Sequence, residues 1–155
     1  MRGDEKMPMT SDIGALQASD RFATFAVGQV AEMCKTVTET DVVLYAGITG
    51  DMNPVHIDAV AAAASQFGER IVHGMLTAGF ISAALAMKLP GPGAVYLSQS
   101  LRFVRPVRIG DTVTARVEVV EVLSTRRRLR LSTLCRNQQG ETVVDGEAVV
   151  LVPAQ

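Results

Sequence analysis

The stretch from Met75 to Lys88 limits the fold more than any other part of the chain. It contains Met75, Leu76, Ala78, Phe80, Ile81, Ala83, Ala84, Leu85, Ala86 and Met87, with no charge before Lys88. At helical spacing these side chains point nearly all round the axis, and such a helix is buried on most sides. Pro90-Gly91-Pro92-Gly93 stops it firmly, because proline cannot donate and glycine does not favour helix. The helix is too short to cross a bilayer, which takes about 20 residues. The rest of the chain must therefore wrap it.

The second half supplies the wrapping. Val95, Leu97, Leu101 and Phe103 alternate with Tyr96, Ser98, Ser100 and Arg102. Val113, Ala115, Val117 and Val119 alternate with Thr114, Arg116 and Glu118, and Leu129, Leu131, Thr133 and Cys135 with Arg128, Arg130 and Ser132. Val144, Gly146, Ala148, Val150 and Val152 complete the set. Period two with one apolar face marks half-buried strands, and Gly110-Asp111 and Gln139-Gly140 mark turns between them. Residues 95–152 thus read as an antiparallel meander. Upstream, 29–37 reads as a strand. Thr38 and Asp41 form a capping-box start for a helix that ends near Gly47 to Gly50. A short helix is expected over 58–65. Helix signals first and strand signals second argue for an α+β fold, an antiparallel sheet wrapped around the long helix.

The 155 residues amount to one domain. Residues 1–21 are polar, interrupted by Gly3, Pro8 and Gly14, and read as a flexible N-terminal tail without the apolar stretch of a signal peptide. The domain is expected over 22–155. A net charge of -1 weighs against a nucleic-acid partner. Cys34 and Cys135 stand far apart, in no ligand spacing, so neither a disulfide framework nor a metal site is suggested. Free thiols suit a reducing cytoplasm.

Chemistry concentrates in Gly50-Asp51-Met52-Asn53-Pro54-Val55-His56. A stiff Asn-Pro bend lies between a carboxylate and an imidazole and can turn both into one cavity, where they could accept and return the protons of a water. Asp51 and Asn53 would also suit plain bonding to local amides. The chain has two histidines, and His73 follows shortly after His56. His73-Gly74 opens the long helix, where unpaired amides and a missing side chain would let a carbonyl approach, as in an oxyanion hole. The His73 side chain itself is expected to cap that helix. Ser82 is a hydroxyl in the middle of the apolar helix, and most such serines bond back to their own helix. Tyr45 and Tyr96 read as packing residues. Arg126-Arg127-Arg128 with Arg130 could meet phosphates, but a solvated strand edge explains such a run more simply.

The two segments 50–56 and Ile71-Val72-His73-Gly74-Met75-Leu76 resemble the MaoC-like family of hot-dog-fold proteins, and most closely its (R)-specific enoyl-CoA hydratase branch, known from polyhydroxyalkanoate-producing bacteria. Tyr96 to Leu101 and Val107 to Asp111 extend the resemblance, which runs from about Gly28 to the C-terminus. It implies a hot-dog fold, a homodimer joined sheet edge to edge, and reversible hydration of trans-2-enoyl-CoA to (R)-3-hydroxyacyl-CoA. It implies catalytic roles for Asp51 and His56, thioester binding by the Gly74 amide with Ser82 in support, and a loop-holding role for Asn53. No metal or redox cofactor is implied. The partner is an acyl-CoA substrate, with neither nucleic acid nor membrane. Gly79 departs from the serine of close relatives and bears on acyl-chain length. A hot-dog thioesterase, a 3-hydroxyacyl-carrier-protein dehydratase and a non-catalytic acyl-binding module are the alternatives. The first two commonly carry an acidic residue on the central helix, and 75–88 contains none.

Overall fold

The computed structural model describes residues 20–154. The tail expected over 1–21 therefore lies outside the described residues as far as 19, and its last two residues are docked. The Arg127 guanidinium donates to both Asp20 carboxylate oxygens, at 2.6 and 2.8 Å, and these bonds hold that carboxyl down at about 2. Arg21 donates to the carbonyls of Pro90 and Pro92.

Five strands form one antiparallel sheet: β1 (Val30–Thr36), β2 (Val95–Phe103), β3 (Thr112–Leu123), β4 (Arg128–Arg136) and β5 (Thr142–Leu151), in the order β1-β3-β4-β5-β2. β3, β4 and β5 are the meander the alternation suggested. β2 is not next to β3 as expected but pairs with β5 at the far edge. Period two marks a buried face and leaves the partner open, so the crossing of β2 had no local signal. The phase of β2 also differs. Tyr96 pairs with Val150 but Ser98 with Val149, leaving Leu97 as an extra residue in a bulge. One inserted residue reverses the faces beyond it. Tyr96, Gln99, Leu101 and Phe103 consequently stand opposite the inward positions of β5, while Val95 and Leu97 are exposed.

The helices are α1 (Glu39–Thr49), α2 (Pro54–Ile57), α3 (Ala59–Ala63) and α4 (Gly74–Met87). α1 starts as its sequence requires: Thr38 Oγ1 accepts from the Asp41 amide at 3.3 Å, and the Asp41 carboxylate accepts from the Thr38 amide at 2.8 Å. Gly50, at φ 78°, ends it in the left-handed region. The short helix expected over 58–65 is α3, and a further short helix, α2, lies just before it in the segment read as a loop. Asp58 separates them because its carboxylate caps α3, accepting from Val60 and Ala61 at 2.9 and 3.0 Å.

The sheet curls over α4, the hot-dog arrangement. Ile81, Ala84 and Leu85 pack into a core with Val113, Val117, Val119, Leu129 and Leu131. Full burial of one such aliphatic side chain contributes about 1.5–3 kcal/mol. α4 is less enclosed than its composition suggests, since Met75, Gly79, Ala86 and Met87 form an exposed outer side.

Candidate active site

The main chain around residue 71 anchors the reactive loop. The Val72 amide donates to Val107 O at 2.8 Å, fixing this segment beside residues 107–108. The Ile71 amide donates to Val55 O at 3.1 Å. Ile71 O in turn lies 2.8 Å from His56 Nδ1. A carbonyl can only accept, so Nδ1 carries the hydrogen and Nε2 of the neutral ring holds a free lone pair. The backbone has thereby selected the tautomer a general base needs.

Asn53 begins α2 at φ -56°, ψ 126°, outside the helical region as Pro54 demands. Its side chain accepts from the Val55 amide, and Asp51 Oδ1 accepts from the Asn53 amide, each at 3.3 Å. The local bonding foreseen for these residues is thus present, and the loop also brings reactive groups together. A carboxylate oxygen of Asp51 and one ring nitrogen each from His56 and His73 lie within 4.8 Å of one another. Asp51 is exposed, whereas His56 is 9% and His73 1% exposed.

These are residue types that bind metals, and the two imidazole centroids lie 3.9 Å apart with the ring planes tilted by 31°. His56 Nδ1 and His73 Nε2 are each already engaged by a backbone carbonyl. The cluster suits a water and mobile protons better.

His56 and Gly74 line one cavity of about 370 Å³, mostly apolar, with Phe67, Thr77, Phe103 and Arg105. Gly74 is the first residue of α4, where an amide has no intrahelical acceptor. A Cβ there would stand 2.8 Å from the Phe103 ring, so any side chain at this position would have to displace that half-exposed ring. Phe103 therefore lies against the end of the helix, which the β2 alternation alone did not reveal. Thr77, one turn into α4 and 1% exposed, was also missed.

Ser82 does not join this group. It lies eight positions after Gly74, about 12 Å along the axis at 1.5 Å per residue. It lines a separate cavity of about 50 Å³ with Tyr96 and Val150. The expected His73 cap is also absent, since its side chain makes no capping bond and instead reaches Asp51 O at 3.0 Å. Tyr45 packs as expected, tilted against His73 at 4.8 Å. Two of the four arginines of the cluster are tied into ion pairs: Arg127 with Asp20, and Arg130 with Glu121 and Glu147. None of these arginines lines the cavity.

Comparison with known proteins identifies the family. Residues 24–137 match the family model described as MaoC like domain. The chain is 48% identical over 134 residues to an (R)-specific enoyl-CoA hydratase of Rhodospirillum rubrum, covering 86% of this chain and 92% of that protein. It is 52% identical over 132 residues to a 3-hydroxybutyryl-CoA dehydratase of Methylorubrum extorquens, covering 85% and 83%. An R-hydratase structure from Pseudomonas aeruginosa superposes with a TM-score of 0.82 at 50% identity, covering 86% of each chain. The chain therefore belongs to the MaoC-like dehydratase family.

Proposed function

We propose that this protein is a hydro-lyase that adds water to trans-2-enoyl-CoA, giving (R)-3-hydroxyacyl-CoA, and catalyses the reverse dehydration. The observation that carries the reading is the His56 tautomer, with Nδ1–H held by Ile71 O and Nε2 free, in a ring one of whose nitrogens lies within 4.8 Å of an Asp51 carboxylate oxygen. The Gly74 amide polarises the thioester carbonyl and leaves C3 electron-poor. Asp51 and His56 take a proton from water as its oxygen bonds to C3. The electron pair of the double bond moves toward the thioester oxygen, and the same pair of residues returns a proton to C2. Asn53 holds the loop. The chemistry calls on no metal or redox cofactor.

The stereochemistry and the coenzyme A carrier follow from the relatives at 43–52% identity named for these reactions. A homodimer is supported by the bare edge at β2, where Val95 and Leu97 are exposed, and by the exposed Met75 and Met87 on the outer side of α4. Among the described residues no helix is long and apolar enough to cross a membrane. We place the protein in the cytoplasm, with no nucleic-acid or membrane partner, on its free cysteines and net charge of -1.

The test follows the loss of enoyl absorbance with crotonyl-CoA and longer trans-2-enoyl-CoAs, with chiral analysis of the product. The expected product is the (R)-3-hydroxyacyl thioester. Asp51→Asn and His56→Ala are expected to lower kcat about 10²–10⁴-fold, the scale of general acid–base catalysis. Release of free thiol without hydration, or full activity in both variants, would overturn the reading.

A further inference from the structure

Although buried, His73 makes one side-chain hydrogen bond among the described residues, from Nε2 to Asp51 O at 3.0 Å. The carbonyl accepts, so Nε2 carries the hydrogen, and Nδ1 is left buried without a partner. Burying a half-satisfied imidazole is unfavourable, and an apolar ring of the same size would fill the place without that cost. The surrounding distances indicate what the donor achieves. The side-chain bonds around Asp51 within its own loop are long: its amide to Thr49 Oγ1, and its Oδ1 from the Asn53 amide, each at 3.3 Å. The bond from His73 is shorter and comes from 22 residues away, from the residue that precedes Gly74. The same ring packs, tilted, against His56 and Tyr45, with centroids 3.9 and 4.8 Å away.

We infer that His73 is a positioning residue for hydration: it ties the main chain that bears the Asp51 carboxylate, and the His56 ring, to the end of the helix that carries the Gly74 amide. A misplacement of about 1 Å between reacting groups can cost about 10²-fold in rate, and one donor spans the carboxylate and the oxyanion site. This inference rests on the hydratase reading above.

The experiment compares His73→Phe, which keeps the ring contacts and removes the donor, with His73→Gln, which keeps a donor at similar reach. Steady-state hydration of crotonyl-CoA is measured alongside thermal melting. His73→Phe is expected to lower kcat about 10- to 100-fold, with KM within about threefold of the parent, while His73→Gln recovers most of that loss. A His73→Phe kcat within twofold of the parent would overturn the inference. So would equal impairment of the two variants, or a change confined to KM. If His73→Phe does not fold, His73→Asn, too short to reach Asp51 O, replaces it with the same expectation. If the unsubstituted protein hydrates no enoyl thioester, the hydratase reading itself fails. Activity that is indifferent to His73→Phe removes this inference alone.

Discussion

Along β3, β4 and β5 the fully buried positions are filled by Val113, Ala115, Val117, Val119, Leu129, Leu131, Val143 and Ala148. Even Cys135 behaves there as a hydrophobe, with burial pushing its thiol up to about 12. The segment from Gly50 to Gly74 holds Asp51 and both histidines of the chain. Its reactive side chains are aimed by main-chain carbonyls, Ile71 O for His56 and Asp51 O for His73. The sheet is held by apolar area, which is non-directional and tolerant. The loop is held by a few hydrogen bonds, which are directional and are lost with a small shift. Substitutions in the sheet should therefore cost stability, and substitutions near the loop should cost rate.

The largest stability effect should come from the sheet. Leu131 is 0% exposed in the centre of β4, and Leu131→Ala is expected to destabilise by about 2–5 kcal/mol. Denaturant titration would report it, with kcat per folded molecule unchanged. A fall in kcat would break the comparison by showing that the sheet also tunes the chemistry. Gly74→Ala should do the reverse. The added Cβ would stand 2.8 Å from half-exposed Phe103, so the ring must swing from the cavity. A loss in kcat/KM of about tenfold, or ~1.4 kcal/mol of transition-state binding, is expected with little change in Tm. A large Tm loss with kcat/KM preserved would mean that Gly74 serves packing alone.

Thr38→Ala, at the start of α1, is expected to have the smallest effect, about 1 kcal/mol for a lost cap. It also has a pH signature. The Asp41 carboxyl is lowered from its ordinary value, first by the Thr38 amide hydrogen bond, with the Thr38 hydroxyl and Lys35 assisting. A lowered folded pKa contributes stability that is fully present above the unfolded value, near 4, and is lost as pH falls through the folded one. The Thr38→Ala penalty, measured by melts from pH 7 down to pH 3, should shrink across the acidic end. A penalty that grows on acidification would contradict the charged cap.

Much of this was legible because it is local. Thr38 and Asp41 are three residues apart, and a capping box needs nothing else. The alternation along β3, β4 and β5 identifies their buried faces, since each strand has neighbours on both sides. The same rule failed on β2. An edge strand has one neighbour, and a bulge at Leu97 shifts the phase without changing the composition. At the site, the Asp51–His56 spacing pointed to residues that do lie close together, whereas Ser82 faces another cavity and His73 was read as a cap.

The sequence by itself determined where α1 and α4 begin and stop, which faces of the central strands are buried, and which loop bears the reactive side chains. These depend on backbone geometry and residue chemistry over a few positions. Tertiary structure decided that β2 crosses to the far edge, that one side of α4 stays bare, that Phe103 lies against Gly74, and that His56 carries its hydrogen on Nδ1. The pairing of β2 with β5, the approach of Phe103 to Gly74 and the bond from His56 to Ile71 O each join groups 15 or more residues apart, and such meetings are set by how the whole chain packs.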